Sequence, residues 1–97
     1  MKPDTDHERN LFGPPPDEML DELLRLAQYL EVEVRYEHTG GRVGRCLLHG
    51  RHLIVMDKAL TLREKVLGLA LSLADLDYED VYLTPACRDL LESNRGQ

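Results

Sequence analysis

The chain has 97 residues, 42% of them apolar, which supplies one small hydrophobic core and excludes a second. Twelve basic against 18 acidic side chains give a formal charge of -6, a balance that works against attraction to phosphate backbones. Two cysteines are too few for the disulfide framework of a small secreted domain.

The first ten residues mix charges without the continuous apolar core of an export signal. The longest uncharged stretch, residues 66–74, falls far short of the ~20 apolar residues that cross a bilayer. A cytoplasmic protein with no membrane segment is expected.

Residues 1–13, with Lys2, Asp4, Asp6, Glu8 and Arg9, lack apolar periodicity and read as a flexible N-terminal arm ahead of a single domain over residues 14–97. Pro14, Pro15 and Pro16 stop regular structure but suit the first turn of a helix. Asp17, Glu18, Asp21 and Glu22 then favour the positive end of a helix dipole, while Met19, Leu20, Leu23, Leu24, Ala27 and Leu30 recur at three- and four-residue steps. This spacing predicts an amphipathic helix ending near Leu30. Val32, Val34 and Tyr36 alternate with Glu33, Arg35 and Glu37, the period of a strand with one buried face, and His38, Thr39, Gly40 and Gly41 read as a turn.

Residues 42–57 read as a hairpin with Gly50 and Arg51 as a type II′ loop. Counting back from that loop sets His49 against His52, Leu48 against Leu53, Leu47 against Ile54, Cys46 against Val55 and Arg45 against Met56. Cys46, Leu48, Leu53 and Val55 would share the core face. Leu47, Ile54 and Met56, with Arg45, His49 and His52, would form an outer face too apolar to be fully solvated.

Thr61 and Glu64 form a capping box that opens a second helix. Its stripe of Leu62, Val66, Leu69 and Leu73 is widened by Leu67, Ala70, Leu71 and Ala74, as in a buried helix. Gly68 sacrifices about 1 kcal/mol of helix propensity and would permit a close crossing. Asp75, Asp77, Glu79 and Asp80 make an acidic connection without the turn glycine and closing carboxylate of a calcium loop. Thr84 and Pro85 then read as cap and first residue of a short last helix through Leu91. The expected fold is a two-layer α+β domain, a three-stranded antiparallel sheet packed by two main helices and a short C-terminal helix.

Few residues carry chemistry. His49 and His52, if opposed, could share a divalent metal, yet two imidazoles fall short of the three or four ligands of a zinc site, and no cofactor is expected. Cys87, in the first turn of the last helix, would have its thiol pKa lowered by free amides if it reached solvent, which makes it the better nucleophile candidate, although no base or orienting carboxylate accompanies it. These residues define the alternative of a metal- or thiol-dependent hydrolase. Arg35, Arg42, Arg45 and Arg51 make the hairpin region basic and define a third reading, RNA or DNA binding, disfavoured because Tyr36 alone supplies an aromatic there. The absence of a catalytic set favours a non-catalytic protein-binding or self-associating domain. Its expected interface is Leu47, Ile54, Met56 and Arg45, most simply in a homodimer.

The order of elements adds one resemblance. The helix to Leu30, the strand from Val32 to Tyr36, the hairpin ending in Leu53, Ile54, Val55 and Met56, and the helix from Thr61 together resemble the small zinc-peptidase domain of the ImmA and IrrE type. In that family the helix after the hairpin carries two histidines that hold zinc and a glutamate that handles the attacking water, within a likeness of roughly sixty residues. The corresponding stretch here, Leu69, Ala70, Leu71, Ser72 and Leu73, has none of those groups. The resemblance therefore implies an inactive, degenerate peptidase-like scaffold, suited to a regulatory or protein-binding role.

Overall fold

In the computed structural model, which describes residues 14–96, the chain runs through α1 (Pro16–Tyr29), β1 (Glu33–Glu37), β2 (Val43–Leu48), β3 (Arg51–Asp57), α2 (Leu62–Leu73) and α3 (Pro85–Ser93). The expected N-terminal arm lies outside the described residues.

Each helix forms where its terminal chemistry allows. Pro16 opens α1 behind an extended Pro15, Asp17 and Glu18 occupy the first turn, and Met19, Leu20, Leu23, Leu26 and Ala27 are buried. The C-terminus closes with two bonds, Glu31 N to Gln28 O at 3.1 Å and Val32 N to Ala27 O at 2.8 Å. This is a Schellman closure, with Glu31 at φ 61° in the position glycine usually takes. The capping box of α2 is present in both directions, Glu64 N to Thr61 Oγ1 at 3.2 Å and Thr61 N to Glu64 Oε1 at 2.9 Å. Thr84 caps α3 by accepting from Cys87 N at 3.4 Å. Glu22 of α1 ties this cap to the body, taking Thr84 N at 2.7 Å and Thr84 Oγ1 at 2.8 Å.

The sheet departs from the antiparallel expectation. Its order is β1-β3-β2, with β3 parallel to β1 and antiparallel to β2, so the fold is α+β with a mixed sheet. After β1 the chain skips one strand position, lays down β2, and returns through the hairpin to place β3 in the gap. The physical signal for a central strand is the unbroken apolar run Leu53, Ile54, Val55 and Met56, which suits a strand with a neighbour on each edge.

Asp57, at the end of β3, holds the β1–β2 connection in place. Its backbone N–H donates to Arg42 O at 3.1 Å. Its buried carboxylate accepts from Gly41 N and, at 3.0 Å, from Ala59 N.

The hairpin register also differs from the expected one. The loop is His49 and Gly50, with φ of 53° and 79°, the two positive values of a type I′ turn whose twist suits the flanking strands. Leu48 therefore opposes Arg51, Leu47 opposes His52, Cys46 opposes Leu53 and Arg45 opposes Ile54. This is a slip of two residues from the expected pairing, and because side chains alternate with period two it leaves the two faces composed as expected.

The inversion lies in which face is covered. Ile54 and Met56 are 0% exposed and pack in the core with Val32, Leu23, Leu26, Leu69 and Leu73, whereas Cys46 and Leu48 are exposed. The face expected to be core is the open one, and Ile54 and Met56, expected at an interface, are interior.

Gly68 has the close approach its position suggested. A Cβ there would lie 2.6 Å from Val43 Cγ2, so the neighbour is a β-branched side chain of β2 rather than another backbone. Gly68→Ala should lower stability by about 1 kcal/mol, because overpacking outweighs the gain in helix propensity. In a Val43→Ala background, where the residue 43 Cβ still lies 3.2 Å away, the same substitution should cost less, a coupling that a denaturant double-mutant cycle reads directly.

The backbone N–H groups of Ala59 and Gly41 hold the Asp57 carboxyl below its ordinary pKa. A depressed folded-state value means that the stabilisation is present above the unfolded pKa and is lost as pH falls through the folded one. Asp57→Asn should therefore reduce the denaturation midpoint at pH 7. The difference from wild type should narrow below about pH 4 as the native carboxyl is protonated.

Candidate functional site

α1 and α2 cover the sheet face that carries Val34, Ile54 and Met56. The opposite face carries Glu33, Arg35 and Glu37 on β1, Leu53, Val55 and Asp57 on β3, and Gly44, Cys46 and Leu48 on β2. Its composition is lopsided. β1 contributes three charges, with Arg35 Nε bound to Glu33 Oε2 at 2.8 Å, whereas β2 contributes none.

Among the large apolar side chains of the sheet, exposure is greatest on β2. Leu47 is 64% and Leu48 45% exposed, while Leu53, in the central strand, is 7% exposed and outside the main core cluster. Sheet edges are normally guarded by charge, proline or a covering element. β1 has such a guard in its Glu33, Arg35 and Glu37, whereas β2 has none on its open face.

Arg45 is the one charged residue of β2, and its charge is already engaged. Nη1 donates to Ser72 O at 2.7 Å and to Asp75 Oδ1 at 2.7 Å, and Nη2 donates to Asp75 Oδ2 at 3.0 Å. The guanidinium thus satisfies a carbonyl at the end of α2 and forms a bidentate pair. The hydrogen bond from Arg45 holds the Asp75 carboxyl below its ordinary pKa. Asp75 is mostly exposed, which limits the pair to about 1 kcal/mol. Its main effect is to fix the edge strand against α2.

The other expected site residues do not assemble. His49 sits in the hairpin loop and His52 opposes Leu47, so the two imidazoles are not a facing pair. Among the described residues no group of three or more His, Cys, Asp or Glu side chains could hold a metal ion.

Cys87 is fully buried. Burial and the nearby Glu22 carboxylate push its thiol up to about 12, the reverse of what a nucleophile at a helix start requires. A groove beside it is lined by Glu22, Arg25, Tyr29, Tyr82 and Thr84, but the Glu22 carboxylate is committed to Thr84. Of the basic set, Arg35 and Arg45 are paired to carboxylates, while Arg42 and Arg51 lie exposed at the two ends of the hairpin.

Two features lay outside the sequence reading. Tyr78 is 0% exposed, its hydroxyl has no hydrogen-bond partner among the described residues, and Arg95 and Arg88 lie 4.8 and 5.7 Å from its ring centre. Glu22 joins α1 to α3 across 62 positions of sequence. Neither has a local motif that would have disclosed it.

Comparison with protein-family models, with curated proteins and with solved structures finds no match. No described helix is long and apolar enough to cross a membrane.

The two thiols should separate cleanly in a labelling experiment. At low micromolar protein and pH 8, a thiol-disulfide reagent should titrate Cys46 alone, and Cys87 should react at least about a thousandfold more slowly until denaturant is added. Equal rates for both cysteines in the folded chain would contradict the burial of Cys87.

Proposed function

We propose that the chain is a small non-catalytic protein-binding or self-associating domain whose contact surface is the free edge of β2. The observation that carries this reading is the contrast between the two edges. β1 presents Glu33, Arg35 and Glu37, whereas β2 presents Gly44, Cys46 and Leu48 on its open side, Leu47 on the other, and an Arg45 already bound by Asp75. An unguarded, apolar edge is a template for another extended segment. In this reading Leu47 remains a contact residue and Arg45 is the side chain that fixes the strand, while Leu48 and Cys46 take the place of the interior Ile54 and Met56.

The burial of Cys87 and the separation of His49 from His52 support the non-catalytic side of this reading over a hydrolase. The resemblance to the ImmA and IrrE type belongs to the same proposal. The order helix, strand, hairpin and helix supports it, and the aliphatic stretch Leu69, Ala70 and Leu71 on α2, which has no zinc ligand, favours a scaffold that binds over one that cleaves. Two unpaired cysteines accord with a reducing, cytoplasmic setting.

Leu47→Lys/Leu48→Lys tests the edge. Both side chains are exposed, so the denaturation midpoint should move by no more than the equivalent of about 0.5 kcal/mol per site. Polypeptides retained by immobilised wild type, including copies of the chain itself, should be lost from the double variant. Equal retention by the two proteins at equal stability would overturn the assignment of binding to this edge.

A further inference from the structure

We propose that the occupant of the β2 edge is the β2 edge of a second copy, running antiparallel about a two-fold axis at Cys46 and joining two three-stranded sheets into one. This inference rests on the reading of β2 as the binding edge and names the partner.

The hydrogen-bond phase of the ladder sets what the edge offers. The bond from Asp57 N to Arg42 O and the two-residue loop after Leu48 both place hydrogen-bonded pairs at even-numbered residues of this hairpin arm. Gly44, Cys46 and Leu48 therefore direct their peptide groups towards β3. Val43, Arg45 and Leu47 direct theirs towards the free edge, and no described residue takes them in a backbone bond outside the regular elements.

Two such edges match each other. With the axis at Cys46, Arg45 and Leu47 of one copy form hydrogen-bonded pairs with Leu47 and Arg45 of the other. Gly44 faces Leu48, and Cys46 faces itself in a non-hydrogen-bonded pair with Cα atoms about 4.5 Å apart.

Charge and backbone geometry select this register over its neighbours. An axis at Arg45 would set two arginines directly opposite each other, which is destabilising. An axis at Leu47 would bring His49, at φ 53°, opposite Arg45 and end the pairing in the turn. The Cys46 axis opposes no like charges and keeps the hydrogen-bonded pairs of Arg45 with Leu47 within β2, with only the terminal Val43 facing the turn residue His49. Arg45 brings no unpaired charge to the junction because Asp75 holds it.

The β1 edge, paired over its full length about Arg35, lacks this self-complementarity. Centred on itself, it would set Glu33 against Glu37 and Arg35 against Arg35. A two-fold contact through β2 therefore closes at two copies, with the charged β1 strands at both outer ends of a six-stranded sheet.

The test combines mass and linkage. Sedimentation equilibrium of the full chain under reductant should show a monomer–dimer equilibrium between about 10 μM and 1 mM, and Leu47→Lys/Leu48→Lys should weaken it at least about tenfold at an unchanged denaturation midpoint. Mild oxidation of wild type with diamide should link dimers through Cys46. In Cys46→Ser/Leu48→Cys the two introduced thiols would lie about 13 Å apart along the strands and should not link.

A chain that stays monomeric at 1 mM overturns the proposal, as does a dimer that links equally well through position 48. A monomer whose lysine variant still loses other retained polypeptides overturns only the second copy as partner and leaves the edge as the binding surface. A monomer whose variant loses nothing overturns both.

Discussion

Residues 38–42 cross the end of β3 because one aspartate holds them there. The Asp57 backbone N–H donates to Arg42 O, its carboxylate accepts from Gly41 N and Ala59 N, and the neighbouring Lys58 N donates to Glu37 O. These bonds keep β1 and β2 one strand width apart, about 10 Å, with β3 between them. From that spacing follow the interior position of Ile54 and Met56, the seat of α2 against Val43 through Gly68, and the exposure of β2 as an edge. A single buried carboxylate with several donors suits this task, since satisfying it elsewhere would require rebuilding the whole connection.

The helices were legible because their signals are local. Proline at the start of α1, the Thr61 and Glu64 capping box, and Thr84 before Pro85 each act within one turn, and all three are found where the residues put them. Strand order is a different kind of quantity. His38, Thr39, Gly40 and Gly41 have the composition of a tight turn, and strands adjacent in sequence are usually neighbours in space. The contrary signal was the four-residue apolar run in β3 set against the alternation of β1. Its physical meaning, a strand flanked on both sides, competes with the equally apolar look of a buried hairpin arm.

The surface was half legible for a related reason. Parity along a strand is robust, so Leu47, Ile54 and Met56 were grouped together correctly even though the loop was misplaced by one residue. Parity does not say which group the helices choose. α1 and α2 bury the face with Ile54 and Met56, and Arg45, a charged residue that argued for solvent, fits there because its long stem carries the guanidinium to the end of α2. For Cys87 the deciding condition was access to solvent. A helix N-terminus lowers a thiol pKa only in contact with solvent, and tertiary packing against α1 removes that contact.

The late arrival of β3 has a consequence for how the chain reaches this arrangement. On synthesis β1 and β2 emerge first, joined by a span short enough that closing it demands little entropy, yet in the finished sheet they meet only through the strand that follows them. Any early pairing between the two is therefore a topological dead end. Such a pairing would have to dissolve before the β2–β3 ribbon could insert its second arm, so the native order rewards forming the β2–β3 ribbon first.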